Sequence, residues 1–179
     1  MITIQSRYRL AVVLLLLAVL HFVLRPFLAD FRGAPDFLLV ALLIFAIRAR
    51  PGDGAIAGFV IGLLADALTP IAFGAGALAH TCVGYLAAWG KAVFFAENVV
   101  VSAGFFFLGT WLRDVIVLVA GRHMDQTALF WQLLVWSPVK ALTTALLGVL
   151  TLVIFRRWLR IRLGERVYTT GSHRVRRLS

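Results

Sequence analysis

Cysteine is almost missing from this chain: Cys82 is the single one in 179 residues. No internal disulfide can form, and the apolar neighbours of Cys82 offer no metal-ligand spacing, so its role is packing. Charge is scarce as well, at 15% of residues, and no polar stretch is long enough to build an extramembrane domain. A water-soluble domain is thereby excluded. Paired carboxylates, a nucleophile beside a base and a metal motif are lacking too, which argues against an enzyme, a metal site or a cofactor. His21 has no histidine four residues on, so a haem or metal reading finds no second ligand. The formal net charge is +10, but the basic residues lie beside apolar segments, where they set membrane topology. Nucleic acid is therefore not the expected partner.

What the chain does have is apolar sequence, 61% of its residues. A bilayer core takes roughly 20 apolar residues per helix, so the length allows five or six crossings in one domain. The pattern predicts an all-α integral membrane protein of six transmembrane helices, at about residues 8 to 28, 36 to 49, 54 to 68, 76 to 93, 98 to 120 and 129 to 155. Residues 1 to 155 form the membrane domain and 156 to 179 a basic tail. Arg7 and Arg9 before the first apolar run resemble a signal peptide, but no small-residue cleavage site follows, so the helix is retained. Helices two and three are short. They are read as short or tilted spans rather than a re-entrant hairpin, because Arg48, Arg50 and Asp53 suit an interfacial turn. Pro138 is expected to kink helix six. With six helices, thirteen Arg and Lys fall on the side of the termini against Arg25, Arg32 and Arg122 on the other. That asymmetry places both termini in the cytoplasm.

Two stretches repeat small residues at helical spacing. Gly54, Gly58, Gly62 and Asp66 recur every fourth residue on helix three, and Gly76, His80, Gly84 and Ala88 on helix four. Such stripes let helix backbones approach closely in lipid. The groove of Gly54, Gly58, Gly62 and Gly84 is accordingly read as a packing surface, for helix four or for a helix of another protein.

Asp66, Arg113, Asp114 and Lys140 cannot be assigned to loops. Each costs about 2.5 to 3.5 kcal/mol at a helix centre, so unpaired they would cost on the order of 10 kcal/mol together. They should face inward and neutralise one another, two acids against two bases. Counted by depth, all four fall in the outer half with His80. Asp66 is expected to meet Lys140 or Arg113, Asp114 the remaining base, and His80, Thr143 and Thr144 to complete the hydrogen bonding. Two readings remain open: a polar pocket, opening outward, for a small ligand or a partner's polar group, and a buried ion-pair network that only fixes helix register. In the tail, Arg156, Arg157, Arg160 and Arg162 suit either attraction to anionic lipid or a topology anchor.

The run Gly58-Phe59-Val60-Ile61-Gly62-Leu63-Leu64-Ala65-Asp66, with Pro35-Asp36 before it and Gly74 and Gly84-Tyr85-Leu86 after it, resembles the rod shape-determining protein MreD family. The resemblance is best over residues 35 to 90 and extends through the chain by helix count and basic tail. It implies a bacterial inner-membrane protein, similar in fold to the substrate-binding S components of energy-coupling-factor transporters. It also implies work in the elongasome with MreC, MreB, RodA and a class B penicillin-binding protein, directing lateral peptidoglycan synthesis without catalytic residues of its own. Gly58, Gly62 and Asp66 are the positions that carry over. The expected function is a non-enzymatic membrane scaffold whose chief partner is the transmembrane helix of MreC. The alternative, a small-molecule-binding subunit of a transporter, would look for an Ala-x-x-x-Ala face on helix one, where Ala11 and Ala18 stand seven apart.

Overall fold

A computed structural model describes residues 4–28, 31–68, 74–94, 99–121 and 126–159, and every regular element among them is a helix. These are α1 (Ile4–Leu28), α2 (Phe37–Ala46), α3 (Pro51–Leu68), α4 (Ala75–Phe94), α5 (Val99–Gly121), α6 (Gln126–Trp131) and α7 (Ser137–Leu159). A π-helical segment, Gln132–Trp136, joins α6 to α7 without a break. Among the described residues three stretches are long and apolar enough to cross a membrane: Tyr8–Leu28, Val99–Ala120 and Thr127–Phe155.

The bundle is built around α2. Its sequence, FLLVALLIFA, is apolar on every side, and a helix without a polar face is stable only when apolar surroundings enclose it. Here the protein supplies them. All of α2 except Phe45 is buried, against Val13 and Leu17 of α1, Val83 and Ala87 of α4, Phe105 and Phe106 of α5, and Ala145 and Leu152 of α7. Ten residues rise only about 15 Å, half the thickness of a bilayer core. Helix two therefore stops short of the predicted residue 49. Arg48 N–H bonds back to the Phe45 carbonyl at 2.9 Å in a turn that leads to Pro51. Proline suits a first helical position, because the N–H it lacks would have no partner there, and α3 accordingly begins three residues earlier than predicted.

On α3 and α4 the usual arrangement of polarity is inverted. The exposed faces carry Ile56, Phe59, Val60, Leu63 and Leu64 on one helix and Tyr85, Leu86 and Trp89 on the other. Small residues lie inside. Elsewhere a missing side chain makes room for a large one: a Cβ on Gly148 of α7 would stand 2.6 Å from the ring of Phe106 on α5, and one on Gly109 of α5 would stand 3.0 Å from Leu43 of α2.

Ahead of Pro138, where a kink is expected, the helix carries the π-helical segment. Proline cannot donate to the carbonyl four residues back, and its ring crowds that carbonyl in an α-helix. One turn is widened immediately before it, where Ser137 N–H reaches the Gln132 carbonyl five residues back. At the other end α7 continues to Leu159, past the predicted start of the tail at 156, so Arg156 and Arg157 belong to its last turn. Arg160, Arg162 and the rest of the tail lie outside the described residues.

Candidate functional site

The four-residue repeats of α3 and α4 interlock in antiparallel register. Each step of four towards the C-terminus of α3 is a step of four towards the N-terminus of α4: Gly54 lies on the Gly84 carbonyl, Gly58 on that of His80, and Gly62 on that of Gly76. A Cβ on Gly62 would stand 2.6 Å from the Cα of Ala77, and one on Gly54 2.9 Å from the Cβ of Ala88. The groove is thus filled within the chain, backbone against backbone, by helix four.

Asp66 is the next step of the same stripe, and it does not meet a base. Its carboxylate accepts hydrogen bonds from the backbone N–H groups of Gly74 (2.9 Å), Gly76 (3.0 Å) and Ala77 (2.9 Å). These are donors that a helix start leaves without an intrahelical partner, and the partial positive charge of the α4 N-terminus favours an acid there. Gly74 adopts φ +95°, a conformation that favours glycine, so its N–H can turn towards the acid. Gly76 leaves room for the carboxylate itself, since a Cβ there would fall on Asp66 Oδ1. The predicted pairing of Asp66 with Lys140 or Arg113 is thereby corrected. Backbone amides satisfy this acid, and no cation has to.

The second acid opposite the bases is Asp36, the N-cap of α2. Its Oδ1 accepts from Leu39 N–H at 3.0 Å, and its Oδ2 lies 3.8 Å from the Arg113 guanidinium. Asp114 Oδ1 takes both Arg113 Nη1 at 2.7 Å and Lys140 Nζ at 3.1 Å. The network is therefore two acids and two bases, as the charge balance requires, with Asp36 in the place predicted for Asp66. Asp36 and Asp114 are both buried, and Arg113 and Lys140 retain side-chain exposures of 17% and 20%, so the cations form its open side. Two hydroxyls of α7 anchor the loop before α2. Thr144 Oγ1 accepts from Asp36 N–H at 3.1 Å, and Thr143 Oγ1 donates to the Gly33 carbonyl at 2.6 Å.

His80 lies near these charges but makes no hydrogen bond to them among the described residues. It is fully buried, and its Nδ1 lies 2.8 Å from the Gly76 carbonyl, an acceptor, so Nδ1 carries the proton. Its Nε2 is buried without a partner, as are Arg113 Nε and Ser137 Oγ. The hydrogen bonding predicted between His80 and the acids does not form among the described residues. The position of Asp36 was still readable: it directly precedes an uninterrupted apolar run, and the cap of a helix buried all round must itself face the interior.

Beside the network, at the same end of the bundle, lies a cavity of about 310 Å³. Its wall is formed by α1 (His21, Arg25, Leu28), the loop before α2 (Arg32, Asp36), Ala65 of α3, Arg113 of α5, Gln132 of the π-helical segment and Lys140 of α7. Lys140, Arg113 and Asp36 thus belong to the charge network and to the cavity wall at once. Asp66, His80 and Thr144 do not line it.

No curated protein and no solved structure matches the chain. A family model described as rod shape-determining protein MreD matches residues 4–163, which include all the helices and every residue of the network. The chain belongs to the rod shape-determining protein MreD family.

Proposed function

We propose that this protein is a non-enzymatic scaffold of the bacterial elongasome. It sits in the cytoplasmic membrane with six crossings and both termini inside, and supports lateral peptidoglycan synthesis through MreC, with RodA, a class B penicillin-binding protein and MreB as further members of the assembly. The observation that carries this reading is the family match over residues 4–163, whose members are shape-determining rather than catalytic proteins. The packing supports it. Acids inside the bundle are held by bases or backbone amides, and α3 and α4 are locked by their glycines, which suits a part that holds its shape while others dock. A second reading, the small-molecule-binding subunit of a membrane transporter, has the cavity in its favour.

The test is complementation with capture. In a rod-shaped bacterium depleted of its own MreD, the chain is co-expressed with its cognate MreC and crosslinked in native membranes. The scaffold reading expects rods to return and MreC to be recovered in the crosslinked product. Round cells without MreC capture, with recovery instead of a transporter's energising subunits, would establish the second reading.

A further inference from the structure

The cavity wall carries more positive charge than its own carboxylates neutralise. Among the described residues Arg32, Arg113 and Lys140 face it, with Asp36 the one acid in the wall and Asp114 behind Arg113 and Lys140. Leaving Arg25 out of the count, three cations stand against two carboxylates. Donors remain as well. Arg113 Nε is buried without a partner. Lys140 gives one of its three N–H groups to Asp114. The Arg32 guanidinium carbon lies 5.5 Å from the centroid of the Trp136 ring, a contact that engages no acceptor oxygen. Gln132 adds a neutral amide to the same wall. An excess of positive charge beside unfilled N–H donors is the complement of an anion with several acceptor oxygens.

We propose that this cavity binds a phosphate group, and that the group is the headgroup of an anionic lipid. Phosphate presents oxygens in the geometry that an Arg fork matches, and it carries the charge the wall lacks. Size agrees, since about 310 Å³ exceeds several times the roughly 30 Å³ share of a water molecule, leaving room for a phosphate and the first atoms of the group it esterifies. Placement indicates the lipid as source. Arg25 and Leu28 lie in the last turn of α1, a helix long enough to cross the membrane, so the cavity opens at headgroup level. On the same helix Val19, Val23 and Phe27 are exposed, an apolar strip that acyl chains can follow. The proposal concerns this cavity alone and does not depend on whether MreC is the protein's partner.

The test is a binding titration of the purified full chain in neutral detergent. Its probes are dihexanoyl phosphatidic acid, dihexanoyl phosphatidylcholine, inorganic phosphate and an N-acetylated, amidated glutamate. The proposal expects saturable binding of the phosphatidic acid, weaker by roughly tenfold or more in Arg32→Gln, the loss of one charged hydrogen bond. Arg32 is exposed and its one interaction among the described residues is with Trp136, so this variant keeps its fold, whereas Lys140→Gln, tested alongside, also weakens the network. Phosphatidylcholine should bind at least tenfold more weakly. Inorganic phosphate binding as tightly as the phosphatidic acid would keep the phosphate site and overturn the lipid source. Equal affinity in Arg32→Gln and the unaltered protein, equal binding of the zwitterionic lipid, or tighter binding of the glutamate would overturn the proposal, the last assigning the cavity to an acidic residue of a protein partner.

Discussion

Replacing Gly58 by alanine tests the interlocked stripes at their centre. The new Cβ would fall on the His80 carbonyl, 2.6 Å from its carbon and 3.0 Å from the Cα of Thr81, all backbone atoms. Carbon atoms in contact stay about 3.5 Å apart or more, so the helices must separate there by about 1 Å. They cannot do so locally, because Gly54 against Gly84 and Gly62 against Gly76 hold the crossing on either side. Overpacking of this kind costs about 1 to 3 kcal/mol, and contact with backbone rather than a flexible side chain points to the upper end. Alanine returns about 1 kcal/mol through its better helix propensity. The net loss is about 2 kcal/mol, which in a chain of this size lowers the melting midpoint by about 4 to 8 °C. Gly104→Ala on α5 is the control, since nothing lies within 4 Å of its added Cβ and only the gain in propensity remains. Both variants are compared by thermal unfolding in one detergent. Gly58→Ala melting as high as Gly104→Ala would refute the close approach.

Asp66→Ala leaves the N–H groups of Gly74, Gly76 and Ala77 without their acceptor, and each buried unsatisfied donor costs about 1 to 3 kcal/mol. A melting midpoint lower by more than in Gly58→Ala is expected, with Asp66→Asn intermediate because it keeps one acceptor oxygen. Thr144→Val preserves shape but removes the acceptor of Asp36 N–H, for an expected loss of about 1 to 3 kcal/mol in the same assay. An unchanged midpoint would show that this hydrogen bond adds nothing to stability.

The sequence carried the α3 packing groove plainly, because the steric effect of a missing side chain follows from spacing alone, but it left open whether α4 or a helix of another protein fills it. Gly54, Gly58 and Gly62 announced a groove, and Gly76, His80 and Gly84 repeated its period on the helix that fills it. Counting depth along antiparallel helices also put Asp114 and Lys140, 26 residues apart in sequence, at one level of the bundle, with Lys140 one of two bases open to that acid. Asp66 was misassigned for a physical reason. A balance of side-chain charges takes no account of backbone amides, yet three N–H groups at a helix start can satisfy a carboxylate as well as a cation can. Asp36 reads in the sequence only as the start of helix two, although the wholly apolar run behind it marks a buried helix whose cap must be buried too. The π-helical turn before Pro138 was beyond periodicity, since a single added residue per turn leaves no distinct pattern over five positions.

The central structural claim is that the bundle's inner acids divide into a network of Asp36 and Asp114 with Arg113 and Lys140, and a separate Asp66 held by backbone. A rescue experiment tests it most directly: the melting midpoints of Asp114→Asn and Asp66→Asn are measured with and without Lys140→Met. Removing one partner of a buried pair costs about 3 to 5 kcal/mol, and replacing both by apolar or neutral groups restores much of it. The account predicts that Lys140→Met raises the midpoint of Asp114→Asn and lowers that of Asp66→Asn further. Rescue of Asp66→Asn by Lys140→Met, with none for Asp114→Asn, would contradict it.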